Sequence, residues 1–141
     1  MKRALLLVLV STLSVCARTP DEQKIRQTIA AMKQAMEDGA PRAFIDHVST
    51  DFSGDRGSVD RNDLANILRV QVLRNERVNV LLGPIDVETQ GDRATAKLTA
   101  TLAGRGAGAM PERVSVFSIT SSWKRAGSGW ECYNAQWEQK L

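Results

Sequence analysis

The sequence predicts an α+β domain in which three N-terminal helices pack on a strongly curved antiparallel sheet. Three observations carry that reading. Residues 20–37 place apolar side chains at helical spacing behind a capping signal. Residues 94–102 alternate strictly between Ala or Leu and polar side chains. Residues 112–139 hold all three tryptophans and the one tyrosine in two strand-like runs joined by a short Gly/Ser turn. Helices precede strands, and neither a repeat nor a low-complexity tail interrupts the order.

Each element has its own signal. Thr19 can cap the first helix, Pro20 suits its first turn and Glu22 can close a capping box. Ile25, Ile29, Met32 and Met36 then form one apolar stripe, and Gly39 ends the helix. Pro41 opens a short second helix whose apolar side is Phe44, Ile45 and Val48. Residues 51–58 read as a polar, glycine-punctuated loop. Asp60 caps a third helix with Asp63 in its first turn, and Leu64, Ile67, Leu68 and Val72 are expected to form its buried face.

The period then changes to two. Val78, Val80 and Leu82 alternate, and the phase slips after Gly83-Pro84 to Ile85 and Val87, as an edge strand with a kink would do. Gln90-Gly91-Asp92 is a turn, and residues 103–111 form a Gly/Ala-rich loop. In the closing hairpin Phe117, Ile119 and Trp123 share one parity. Strict alternation in the last strand puts Trp130, Cys132, Asn134 and Gln136 on one face and Tyr133, Ala135 and Trp137 on the other. Apolar residues on both faces place this hairpin centrally in the sheet.

Residues 1–17 read as an export signal: Lys2 and Arg3, an apolar run over 4–10, then small residues. The run is shorter than the roughly 18 to 20 residues of a membrane span. Two cleavage readings stand side by side. Leu13-Ser14-Val15-Cys16 resembles a bacterial lipobox with Cys16 as the lipidated residue, although Val15 replaces the usual small one. Val15-Cys16-Ala17 is a small-x-small site with cleavage after Ala17. Either places residues 18–141 outside the cytoplasm, in a bacterial periplasm or lipid-anchored to the cell envelope. Loss of Lys2 and Arg3 leaves 17 basic residues against 16 acidic ones, a net charge of +1. Such a balance gives no electrostatic case for nucleic acid, and contact with a membrane is expected only through the anchor. With Cys16 in the leader, Cys132 has no disulfide partner, so one hydrophobic core must hold a single domain.

The capped first helix, the short second helix, Asp51-Phe52 before a glycine loop, Asp60-Arg61 opening the third helix and the ending Trp123-Lys124-Arg125…Gly129-Trp130 follow one another in a familiar order. In that order the chain resembles the nuclear transport factor 2-like superfamily, which includes SnoaL-like cyclases and ketosteroid isomerases. The resemblance covers Thr19 to Trp137. It implies a cone: a bent sheet around the long first helix, with a pocket at the open end. Members include enzymes, ligand binders and association domains, so the fold alone does not give the function. Many members carry a histidine in the last strand after the tryptophan. Here Asn134 and Gln136 stand in that region, which turns the expectation away from catalysis.

The chemistry-bearing residues are few. His47 is the only histidine, and with Asp46 or Asp51 it could serve as the acid/base of an isomerase, cyclase or dehydratase. Tyr133 would then be the oxyanion partner that the resemblance implies. Asp51-x-Ser53-x-Asp55 begins like a calcium loop but lacks the required glycine and closing glutamate, and no Cys/His cluster exists, so no metal is expected. The glycine run over 104–108 lacks the helix and Lys-Ser/Thr of a phosphate loop, and no cofactor is implied. Cys132 reads as a small core residue rather than a reactive thiol. Phe44, Trp123, Tyr133 and Trp137 are expected to line an apolar pocket, with Asn134 and Gln136 supplying polar contacts at its rim. The function expected is therefore non-catalytic binding of a small apolar ligand or a protein partner, with a homodimer through the sheet as a further expectation.

Overall fold

The computed structural model describes residues 19–75, 77–105 and 113–141, with Arg105 described by its backbone alone. The leader with Cys16, and most of the 104–108 glycine run, lie outside the described residues. Helix α1 (Pro20–Glu37) begins as its sequence dictates: Thr19 Oγ1 accepts the Glu22 N–H, and Gly39 follows at φ +68°. Ile25, Ile29, Met32 and Met36 are all buried, Ile25 completely. Helix α2 (Pro41–Ile45) is a single short turn. Helix α3 (Arg61–Arg74) carries a reciprocal capping box between Asp60 and Asp63.

Residues 51–58 are not the loop that their glycines suggest. Strand β1 (Val48–Gly54) runs through them, followed by a 3₁₀ turn at Asp55–Gly57 and the two-residue strand β2 (Val59–Asp60). The helices are therefore not all placed before the strands. Val48 and Phe52 are buried, and pairing with the last strand outweighs the local turn propensity. That pairing is parallel, so the sheet is mixed rather than wholly antiparallel.

The remaining strands are β3 (Arg77–Leu82), β4 (Asp86–Gln90), β5 (Arg93–Arg105), β6 (Arg113–Ala126) and β7 (Gly129–Gln139). The sheet order is β2-β1-β7-β6-β5-β3, with β4 also beside β5, and the curled sheet does not close. The Gly83-Pro84 break is thus a division into two strands on one partner. The β6–β7 hairpin does lie centrally. Directly paired residues share a face, so Val80, Leu102 and Ser115 lie in one inward row, and Ala94, Trp123 and Cys132 in another.

Side chains of α1 tie the helix to the sheet. The Glu37 carboxylate accepts the Val80 N–H at 3.0 Å, and the Arg26 guanidinium donates to the Ile85 carbonyl. At the other end of α1, Asp21 takes both terminal nitrogens of Arg125 and the Trp130 indole N–H, while Arg125 Nε reaches Asp92. Arg125 also stacks over the Trp130 ring at 4.7 Å. The Arg125 hydrogen bonds hold the Asp21 carboxyl below its ordinary range. This interlock joins the helix start to the hairpin turn.

Candidate functional site

The concave face is filled unevenly. Near the start of α1, Ala94, Ala96 and Trp123 are sealed beneath Ile25 and Ile29 in one core cluster. Trp123 is 1% exposed, and its indole N–H donates to Ser121 Oγ at 2.8 Å, while Ser121 donates to the Ala96 carbonyl. Toward the other end of the same strands, Leu98, Leu102, Phe117 and Ile119 point inward but are only half-buried. Helix α3, which packs on α2, β1, β2 and β3, buries none of its residues. Leu64, Leu68 and Val72 are half-buried and Ile67 is 43% exposed, contrary to the buried face expected. Leu64 and Leu68 pack against the core cluster, yet the stripe as a whole stays half-open.

The six residues expected to line a pocket divide between two sides of the sheet. Phe44 and Trp137 are half-buried and pack on the core cluster, bordering the concave face. Trp123 fills that face. Tyr133, Asn134 and Gln136 lie on the outer face, because the last strand does not alternate strictly. Trp123 pairs with Cys132 and Ser122 with Asn134, so Tyr133 is an extra residue in a bulge. Past the bulge the parity flips, and Ala135 and Trp137, not Asn134 and Gln136, share the face of Trp130 and Cys132.

On the outer face the Tyr133 ring is flanked by Arg93 at 5.5 Å and Lys124 at 6.0 Å from its centroid. Asn134 Nδ2 donates to the Ser53 carbonyl at 2.7 Å, tying β7 to β1. Gln136 donates to Asn134 Oδ1 and accepts the Arg56 N–H at 2.8 Å. These amides are spent on the fold.

The proposed acid/base residues are not hydrogen-bonded to one another. His47 is half-buried at the β1–β7 junction, where its carbonyl accepts the Cys132 N–H. Asp46 is exposed. Asp51 accepts from Lys124 Nζ at 2.7 Å and from Ser49 Oγ, and these bonds lower its carboxyl to about 2. Among the described residues no hydrogen bond or ion pair joins either carboxylate to His47. Asp55 Oδ2 accepts from Ser58 instead of joining Asp51. Cys132 is 4% exposed, and burial pushes its thiol up to about 12.

Two open depressions border the sheet. One, of about 530 Å³, is lined by Glu22, Glu88, Gln90, Arg93 and Tyr133 among others. The second, of about 350 Å³, lies between Asp55, Arg56, Ser118, Thr120 and Gln136. Both are open and polar, so neither is the apolar pocket expected. Leu98, Phe117 and Ile119 on the sheet and Leu64 and Leu68 on α3 were legible as apolar faces but not as half-buried ones.

No protein-family model matches the chain, and no curated protein matches its sequence. Solved structures do. A candidate dehydratase of the nuclear transport factor 2-like family from Streptomyces avermitilis is similar at 18% identity over 87% of this chain and 99% of its own, with TM-score 0.71. A nuclear transport factor 2-like protein with a cystatin-like fold from Novosphingobium aromaticivorans is similar at 22% identity over 83% and 80%, with TM-score 0.66. Bd1075 of Bdellovibrio bacteriovorus matches 82% of this chain at 12% identity and TM-score 0.71, and the chain spans 40% of that protein's length. Identities this low carry the architecture and nothing finer. Three helices on a curled, unclosed mixed sheet, matched in these structures, give this chain the nuclear transport factor 2-like fold.

Proposed function

We propose that the chain is an exported, non-catalytic domain that binds a small apolar ligand on the open half of its concave face. The observation that carries this reading is the contrast along the inward face of β5 and β6: Ala94, Ala96 and Trp123 are sealed, whereas the large side chains Leu98, Leu102, Phe117 and Ile119 around the buried Ala100 stay half-buried. Burying such apolar area releases about 25 cal/mol per Å², so a ligand of modest size has a driving force there. With no hydrogen bond joining His47 to Asp46 or Asp51 among the described residues, and Asp51 held by Lys124 and Ser49, binding is favoured over acid/base chemistry. The Lys2-Arg3 start, the apolar run and Cys16 support export, with the domain periplasmic or lipid-anchored to the envelope.

The neutral probe N-phenyl-1-naphthylamine tests the site. Its fluorescence should rise on binding, weaken about tenfold or more in affinity with Leu68→Lys, and stay unchanged with His47→Ala. A probe that never brightens, or that binds Leu68→Lys equally well, removes the proposal. A second reading rests on the outer face, where paired Leu81, Thr101 and Val116 lie beside Val114, and Leu81 is 70% exposed. This patch supports pairing of two copies through the sheet face. Val116→Lys should then lower the assembly's mass in light scattering, and an unchanged mass argues against it.

A further inference from the structure

Helix α3 is apolar on the side turned away from the protein as well as on the side turned toward it. At about 100° per residue, Ile67, Val70 and Leu73 share an outward arc of about 120° with Asn66 and Arg74, opposite Leu64 and Leu68. Ile67 is 43% exposed, Val70 41% and Leu73 77%. Three large aliphatic side chains in one line are more than the scattered apolar residues that any surface carries. The charge around this ridge has one sign. No acidic residue stands between Asp63 and Glu76, while Arg69 and Arg74 border the ridge and Arg77 follows it. The helix end is seated on β5, where the Asn75 amide occupies the space that a side chain on Gly104 would take. Gly104 pairs with Arg113, so a fourth arginine joins the same corner. All four arginines are exposed. Lys33, Lys124 and Arg125 each hold a carboxylate, but among the described residues none of these four does. The near balance of charge over residues 18–141 conceals this local excess.

We propose that the outward ridge of α3 seats the domain on a bilayer surface rich in anionic phospholipid. Shape and charge choose this occupant. The ridge is convex, and neither depression described above includes a residue of α3, so it offers a protein segment no groove to fill. A bilayer interface yields to a convex ridge. Its aliphatic side chains enter the acyl boundary while the arginines beside them stretch their guanidinium groups to the phosphates. Leu73, the most exposed of the three, enters deepest, with Arg69 and Arg74 within one turn of it. Arg77 and Arg113 add attraction to the same anionic surface. The ridge lies on the opposite side of α3 from Leu68, so the proposal is independent of any ligand in the concave face.

Co-sedimentation of residues 18–141 with lipid vesicles tests it. Every element of the fold lies within that span, which lacks both the apolar run and Cys16, so neither of these can supply the binding. Vesicles of phosphatidylcholine mixed with phosphatidylglycerol should carry the domain down, and phosphatidylcholine alone should bind it about tenfold more weakly or less. Arg69→Gln with Arg74→Gln should weaken binding to the mixed vesicles about tenfold. Leu73→Ser should weaken it about fivefold to tenfold. Leu141→Ser removes a comparably exposed leucine, 73% against 77%, beyond β7 and several strands from β3, and should bind as the parent does. All of these positions are exposed, so the urea midpoint should stay where it is. Equal binding to the two kinds of vesicle, binding to neither, or equal binding by Leu73→Ser and Leu141→Ser would overturn the proposal.

Discussion

Replacing Gly54 with alanine probes the joint that carries Trp137. A Cβ at this position would lie 2.9 Å from Cε1 and Cζ of Phe52 and 2.9 Å from Cζ3 of Trp137. Both rings are wedged: Phe52 is buried and Trp137 packs on the core cluster. Neither can yield as the tip of a flexible chain would, so ring or backbone must move. Overpacking of this kind costs about 1–3 kcal/mol. Alanine recovers roughly 0.5–1 kcal/mol over glycine within a strand, which leaves a net loss centred on about 1 kcal/mol and at most about 2.5 kcal/mol. For a domain of this size that is a fall in Tm of roughly 4 to 8 °C. Urea unfolding followed by tryptophan emission measures it, and the native emission should shift as Trp137 is displaced. Gly83→Ala is the control: its nearest neighbours lie at 3.6 and 3.7 Å, an ordinary contact. Equal stability of the two variants, with unchanged emission, would refute the account of the β1–β7 joint.

Other expectations can be checked on the same preparations. Ile25→Ala empties a fully buried site and should cost about 2–5 kcal/mol in urea unfolding. Asp60→Ala removes the α3 capping box and should cost about 1 kcal/mol, visible as a lower midpoint. Asp51 is a depressed carboxyl, so its contribution is present above the unfolded value near 4 and is lost as pH falls through about 2. Asp51→Asn should therefore be less stable than the parent by a constant amount above pH ~4, with the two converging by pH ~2. Cys132 should react with a thiol reagent only as fast as the chain unfolds, since it is both buried and held as the neutral thiol.

Much of the fold was legible because its signals are local. The Thr19 cap, the Ile25–Ile29–Met32–Met36 stripe and the Ala94 to Leu102 alternation each follow from short-range chemistry, and the structure reproduces them. What was not legible depends on distant partners. Strand β1 exists because β7 lies beside it, a pairing across some eighty residues that local glycines conceal. The bulge at Tyr133 leaves no mark in composition, yet it moves Asn134 and Gln136 to the outer face and Trp137 to the inner one. An apolar stripe such as that of α3 reads identically whether its neighbour seals it or leaves it open. The sequence could therefore name the apolar residues of the site but not say which would be sealed.

The proposed ligand ground is tested most directly by amide and methyl NMR spectra of the ¹³C,¹⁵N-labelled domain during titration with N-phenyl-1-naphthylamine. The account predicts that the largest shifts fall on Leu68, Leu98, Phe117 and Ile119, with Tyr133, Asn134 and Gln136 nearly still. Shifts centred on Tyr133 and the outer face, or none at saturating probe, would contradict it.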